Sequence, residues 1–178
     1  LRASALCNDS KLSNDKGKWV ISGDTTEGAL LVATAKAGVS CDELSRQFPR
    51  IAEIPFSSER KMMTTIHNTP QGKFAYSKGA PEVILNRCSR VYKDGKEKEL
   101  AREEKDEVLA KVGHMANDAL RVLGMAYKSL GDKSVPSESV EQDMVFIGLA
   151  GIIDPPREEV KAAIGICEQA GIRPIMIT

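Results

Sequence analysis

The chain has 178 residues, of which 42% are hydrophobic and 28% charged, as in an ordinary globular protein. Its 25 basic residues balance 25 acidic ones, so the broad positive field of a nucleic-acid-binding protein is absent. The four cysteines are dispersed without a CxxC pair and only two histidines occur, which argues against a zinc site and favours reduced thiols. The longest apolar run, residues 144–153, is too short for a membrane-spanning helix, which needs about 20 residues, and the first residues do not resemble a signal peptide.

The first half of the chain predicts short strands and helices separated by turn residues. Thr25 or Thr26 can cap a helix that ends before Gly38, and Pro81 suits the first position of a helix. The turn TPQG at 69–72 joins two extended segments and predicts a hairpin. Strands are therefore expected at 19–22, 51–56, 61–68 and 73–78, and helices at about 25–37, 41–48 and 81–88.

The second half contains one long helix and a change of pattern near its end. Asp94-Gly95 is a strong turn signal between two short strand candidates. A helix is expected over 101–120, a strand over 120–130, a polar loop over 131–143, and then strand, helix and strand at parallel α/β spacing. The expected fold class is α+β, an antiparallel β-sheet flanked by helices, with a short C-terminal βαβ fragment. Because one βαβ unit cannot cover both faces of a parallel sheet, the chain is expected to be a piece of a larger protein.

Taken alone, each candidate binding residue also has a structural explanation. The stretch SKGAPE places Lys78 and Gly79 before a helix start, where an anion could bind, but a lysine before a capped helix is commonly only a surface charge. Phe56 could be an exposed ring for stacking a flat base or a core residue. Glu27 could accept a hydrogen bond from a ligand, or it could interact only with the helix dipole. The structural explanation of Arg121 is that it hydrogen-bonds the last carbonyl groups of a helix.

Five motifs in a fixed order are far more specific than any one of them. They are GDTTEGALL, PFSSERKMM, SKGAPEVIL, LRVLGMAY and DPPREEVKAAI. Together they resemble the nucleotide-binding domain of P-type cation-transporting ATPases, in the calcium-pump-like branch, and the resemblance covers essentially the whole chain. It implies a domain at 1–153, followed at 154–178 by a hinge and the start of the phosphorylation domain.

The resemblance implies roles for individual residues around adenine. Phe56 corresponds to the phenylalanine that stacks on the base, and Lys61 points into the same pocket as part of the motif that contains Met63. Glu27 corresponds to the glutamate that hydrogen-bonds the adenine edge.

Lys78 is expected along the base of the adenine pocket, where Gly79 and Ala80 leave room for the ring. Arg121 corresponds to the arginine that reaches toward the phosphates. Ser58 stands where animal calcium pumps tend to carry an arginine, so one phosphate contact is expected to be absent or supplied by Arg60.

Beyond the adenine pocket, the DPPR element corresponds to the hinge, comprising Asp154, Pro155, Pro156 and Arg157. Thr178 matches the first residue of the family's Thr-Gly-Asp motif. The resemblance thus adds Arg157 and Thr178 to the candidate nucleotide-binding residues.

The same resemblance implies the biochemical setting. The cofactors are ATP and, in the intact enzyme, Mg²⁺; the partners are the phosphorylation, actuator and transmembrane domains of the same polypeptide, with no nucleic acid. The chain would be a cytoplasmic domain of an integral membrane protein and would not itself enter the membrane. It contains no Asp-Lys-Thr-Gly-Thr motif, so it is expected to bind ATP without hydrolysing it and to hold neither catalytic nor metal-binding residues. A haloacid-dehalogenase-type phosphohydrolase fragment and a non-catalytic interaction domain are the alternatives.

Overall fold

A computed structural model describes residues 1–16, 18–131, 137–155 and 157–177. The helices are α1 (Arg2–Leu6), α2 (Thr25–Lys36), α3 (Cys41–Gln47), α4 (Pro81–Asn86), α5 (Arg102–Asn117), α6 (Ser137–Val140) and α7 (Glu158–Gln169). The strands are β1 (Lys11–Asp15), β2 (Lys18–Ser22), β3 (Arg50–Ser57), β4 (Met62–Thr69), β5 (Gly72–Gly79), β6 (Cys88–Lys93), β7 (Lys96–Glu99), β8 (Arg121–Gly131) and β9 (Met144–Ile152). Among these described residues, no helix is both long enough and apolar enough to span a bilayer.

Seven strands form one sheet in the order β3-β4-β5-β8-β9-β6-β7, and β1 and β2 form a separate hairpin. All neighbours in the large sheet are antiparallel except β6 and β9, which are parallel. The predicted hairpin is present as β4 and β5, and Gly72 adopts a positive φ of 102° in its turn. The antiparallel sheet flanked by helices is therefore confirmed.

Apolar clusters cover both faces of this sheet. Successive strand residues point to opposite faces, and the neighbours Met62 and Met63 accordingly belong to different clusters. On the Met63 face, α1 and α2 supply Leu6 and Leu30, and Phe48 follows the end of α3. On the Met62 face, α4 supplies Ile84 and Leu85, and partly buried Val108 of α5 packs against them. The sheet is thus the middle layer, and its strand ends are available to form a site.

The C-terminal part differs from the sequence-based expectation of a separate βαβ unit. Strand β9 lies inside the main sheet between β8 and β6, helix α7 follows as expected, and the structure assigns no strand to 172–177. The reason is that a continuous apolar run suits any central strand covered on both faces, whichever sheet contains it. Helix α6 lies within the expected loop, of which 132–136 fall outside the described residues.

The N-terminal residues also contribute more than their sequence pattern indicated. Helix α1 and strand β1 carry no predicted element, yet Ala3, Leu6 and Cys7 are buried in the core. Helix α1 is only five residues long, so its stability comes from packing rather than from intrinsic propensity.

Candidate functional site

A cleft of about 500 Å³ lies where α2 begins, β5 ends and β8 begins. It is lined by Asp24, Thr26, Glu27, Phe56, Lys61, Met63, Lys78, Gly79, Ala80, Arg121, Val122 and Leu123. Eight of the ten residues proposed from the sequence are in this set, although they come from five separate segments. The fold therefore brings most of the predicted site into one place.

A buried ion pair forms the back wall of the cleft. The Lys78 ammonium donates to Glu27 Oε1 at 2.6 Å and to the carbonyl oxygen of Cys7. The side chains of Lys78 and Glu27 are only 8% and 15% exposed. An unpaired charge at this degree of burial would strongly destabilise the fold. Each of the two side chains therefore needs the opposite charge of the other. Lys78 is a wall residue whose charge is neutralised within the protein.

Glu27 has further partners on the segment before β1. Its Oε2 accepts from the backbone N–H groups of Asp9 and Ser10, at 2.8 and 3.0 Å. The side chain of Asn8 donates to the backbone carbonyl of Glu27 at 2.9 Å, which fixes the same segment to helix α2. Both carboxylate oxygens of Glu27 therefore already accept hydrogen bonds from the protein.

Gly79 is small because two strands approach closely. A Cβ at this position would lie 2.4 Å from the carbonyl oxygen of Lys61 and 2.7 Å from the Cβ of Met62. That Lys61 carbonyl accepts a hydrogen bond from the N–H of Ala80 at 2.9 Å, so the backbone is fixed there. The family resemblance explains this glycine by the room that a ligand needs. The packing of β4 against β5 is by itself a sufficient reason for glycine at position 79.

Phe56 is the exposed aromatic side of the cleft, with 60% of its surface accessible. It lies at the end of β3, where Pro55 and Phe56 together oppose one residue of β4, because Ile54 pairs with Thr64 and Ser57 with Met62. Such a bulge re-aims side chains at the edge of a sheet. The exposure of the Phe56 ring therefore follows from the local backbone geometry.

The first turn of α2 and the start of β8 form the polar rim. Asp24 caps the helix, accepting from the N–H of Glu27 at 3.0 Å. This hydrogen bond, with smaller contributions from Thr26 and the nearby Arg121 charge, lowers the pKa of the Asp24 carboxyl. Arg121 donates to the hydroxyl of Thr26 at 3.0 Å and remains exposed.

Two candidate residues, Arg60 and Arg157, lie outside the cleft lining, and a third candidate is not described by the structure. Arg60 donates through Nη1 to both carboxylate oxygens of Glu141, at 2.8 and 2.6 Å, so its guanidinium is occupied by the protein. Arg157 is an exposed residue at the N-cap of α7 and is not among the residues that line the cleft. Thr178 is outside the described residues, as is Pro156.

Sequence reasoning missed several parts of the site. Asp24 could have been found, because an aspartate three residues before Glu27 is a helix-cap signal. The Cys7 carbonyl could not, since a backbone group carries no residue signature. Val122 and Leu123 follow Arg121 in the strand and line the cleft through their position alone.

Comparison with known proteins identifies the family. The family described as P-type ATPase, cytoplasmic domain N, matches residues 1–159. The chain belongs to this family. As an N domain it is 44% identical to a calcium-transporting ATPase of Bacillus subtilis over 98% of its own length. It is 43% identical to calcium-transporting ATPase 1 of Lactococcus lactis and 41% identical to calcium-transporting ATPase 1 of Bacillus cereus, over all of its length in both cases. Each match covers 20% of the relative, so the N domain spans about a fifth of the length of these curated relatives.

Proposed function

We propose that this N domain binds ATP in the cleft between Phe56 and Lys78. In the intact protein it would position the γ-phosphate for transfer to an aspartate of the phosphorylation domain, driving the transport of a cation, Ca²⁺, across a membrane. The observation that carries the proposal is the placement of eight candidate residues from five segments around one cleft. The names of the relatives support the choice of calcium.

The chemistry of the cleft suits adenine. A base needs an apolar face to stack on and a flat surface opposite, and stacking on an aromatic ring contributes about 1–3 kcal/mol. Phe56 offers the exposed ring, while Gly79 and Ala80 offer backbone with little side chain. Met63 and Leu123 add apolar lining. Lys78 contributes its aliphatic stem to the wall, because its ammonium is directed to Glu27 and Cys7.

The polar end of the cleft suits the phosphates. Lys61 and Arg121 are exposed cations on the lining, and Arg121 donates a hydrogen bond to Thr26. Mg²⁺ would accompany the nucleotide in the intact enzyme and neutralise phosphate charge. The chain lacks the Asp-Lys-Thr-Gly-Thr nucleophile motif, so we expect binding without turnover.

The proposal includes the surroundings of the domain. Residues 1–153 would be the nucleotide-binding unit, and Asp154 to Thr178, including Arg157, would be the hinge and the start of the phosphorylation domain. The partners would be the phosphorylation, actuator and transmembrane domains of the same polypeptide. The domain would lie on the cytoplasmic side of the membrane.

An ATP titration followed by NMR tests this function. One stack and a few hydrogen bonds give a binding free energy of about −4 to −5 kcal/mol, which is a dissociation constant between about 1 mM and a few tenths of that. We expect saturable shifts at Phe56, Gly79 and Arg121. Phe56→Ala should remove saturation below about 10 mM, since it deletes a stack of about 1–3 kcal/mol.

The matched control is Tyr92→Ala, which removes another exposed aromatic ring, one that contacts Tyr127 and is not part of the cleft lining. It should bind ATP like the parent chain. Unchanged binding by Phe56→Ala, or no shifts in the parent chain at about 10 mM ATP, would contradict the proposed site.

A further inference from the structure

A network of buried polar groups lies behind the bulge that carries Phe56, outside the cleft lining. Its centre is Glu141, the residue that follows α6, which is 7% exposed. Glu141 Oε1 accepts from the hydroxyl of Thr64 at 2.7 Å, and that hydroxyl lies 2.7 Å from the hydroxyl of Ser77. Thr64 and Ser77 are both fully buried. The carboxylate is therefore held from the side of the sheet.

Glu141 is held at this place by its neighbour as well. Val140 is fully buried and packs in a cluster with Ala75 and Leu130, against which Ile54 and Ile66 are also packed. The short segment is thereby anchored over strands β3, β4, β5 and β8. It can act as a fixed support rather than as a loose surface loop.

Arg60 connects this support to the bulge. Its Nη1 bonds to Glu141, and its Nη2 donates to the carbonyl oxygens of Pro55 and Met62, at 2.6 and 3.2 Å. One guanidinium thus joins β3 just before Phe56 to β4 just after Lys61. The turn between them is closed by the N–H of Lys61, which donates to the carbonyl of Ser57 at 2.7 Å.

The planar guanidinium explains why this arrangement needs arginine. Its donors diverge in fixed directions, so one side chain can reach a carboxylate and two carbonyls together. A lysine would keep the charge but presents its donors from one atom. The Pro55 carbonyl is next to Phe56 in the chain, so its position sets the backbone from which the ring projects.

We propose that Glu141 is a positioning residue for base stacking: it holds Arg60, which holds the bulge in the shape that presents Phe56 to the cleft. This inference rests on the proposed function, because it names what aligns the stacking ring. It assigns Arg60 to the support of the ring rather than to the phosphates.

The test uses this 178-residue chain and adenosine, which has no phosphates. Glu141→Gln keeps the size of the side chain but removes the charge that orients Arg60. We expect it to weaken adenosine binding about 5- to 10-fold. A change of this size lies within the range of interaction energies between residues of one hydrogen-bond network. In the ligand-free chain it should also shift the ring resonances of Phe56. Glu97→Gln is the matched control: it breaks the exposed ion pair with Arg90, outside the cleft lining, and should change neither.

A second comparison separates positioning from general loss of structure. In a Phe56→Ala background, Glu141→Gln should weaken the remaining ATP binding no further, because the ring through which it acts is gone. Arg60→Lys is the substitute test if Glu141→Gln does not fold, because it leaves the Glu141 charge compensated. It should weaken adenosine binding to the same extent.

The outcomes distinguish the two proposals. In one outcome the parent chain binds adenosine, Phe56→Ala does not bind it, and both Glu141→Gln and Arg60→Lys bind it normally. That result would overturn the positioning role of Glu141 and leave the proposed ATP site standing. If Glu141→Gln weakens binding equally with and without Phe56, its effect is general and the positioning role is also overturned. If the parent chain does not bind adenosine at all, the proposed function fails first.

Discussion

The back wall and the rim of the cleft use charge in opposite ways. At the wall, Lys78 and Glu27 are buried and bonded to each other and to the segment 7–10. At the rim, Lys61 and Arg121 are exposed, and the side chain of Arg121 donates a hydrogen bond to Thr26. The difference indicates that charge at the wall maintains structure, whereas charge at the rim is available to a ligand. Two lysines close to one cleft can therefore have unrelated roles.

The largest expected effect comes from removing the wall lysine. Lys78→Ala leaves the buried Glu27 carboxylate without its cation and should lower the free energy of unfolding by about 3 kcal/mol. It should weaken adenosine and ATP binding alike, since it damages the wall. Urea denaturation and parallel titrations with the two ligands measure both effects.

Lys61→Ala is the matched change at the rim. It should alter the free energy of unfolding by no more than about 0.5 kcal/mol, as is usual for exposed side chains, and weaken ATP more than adenosine. If Lys78→Ala weakened the binding of ATP but not of adenosine, and left the free energy of unfolding unchanged, the roles assigned to Lys78 and Lys61 would be reversed.

A smaller effect is expected where wall and rim meet. Gly79→Ala places a Cβ against the Lys61 carbonyl, which is backbone and cannot rotate away, and should lower the free energy of unfolding by about 2 kcal/mol. Gly113→Ala on α5 is the control, because a Cβ there meets no described atom within 4 Å beyond its chain neighbours and the nearby helix backbone, and alanine favours a helix. It should be neutral or stabilising in thermal unfolding. Equal stability of the two variants would show that β4 can move away from β5.

The smallest effect concerns the rim aspartate. Asp24→Ala removes the cap of α2 and should lower the free energy of unfolding by about 1 kcal/mol near neutral pH. The pKa of Asp24 is lower in the folded chain than the unfolded value of about 3.9, so its contribution is present above that pH. It should disappear as the pH falls through the lower, folded-state pKa.

Asp24→Asn is the control for charge, since asparagine caps a helix about as well as aspartate. Denaturation of the three proteins should be followed from neutral pH to about pH 2, below the unfolded pKa. The stability difference between the parent chain and the alanine variant should shrink with acid, whereas the difference between the asparagine and alanine variants should change little. A difference between parent and alanine variant that stays constant throughout would contradict the lowered pKa.

The family resemblance carried by five motifs made Phe56, Lys78 and Arg121 candidate site residues, and the structure brings all three to one cleft. The hairpin that contains Lys78 was predicted from its turn residues. The contact between Arg60 and Glu141 was not found, because the two residues are 81 positions apart in the sequence. The course of β9 was also unpredictable, since an apolar strand does not specify its neighbours.

Lys78 and Cys7 are 71 positions apart, yet they are in contact at the back wall of the cleft. Closing so long a loop has an entropic cost, and residues 2–10 offset it by burying Ala3, Leu6 and Cys7 in the core and by hydrogen bonds to Glu27. Because Leu6 and Cys7 share one apolar cluster with Met63 of β4 and Met125 of β8, the segment is packed on the sheet itself. Detaching it would expose part of that core and remove the back wall of the cleft at the same time.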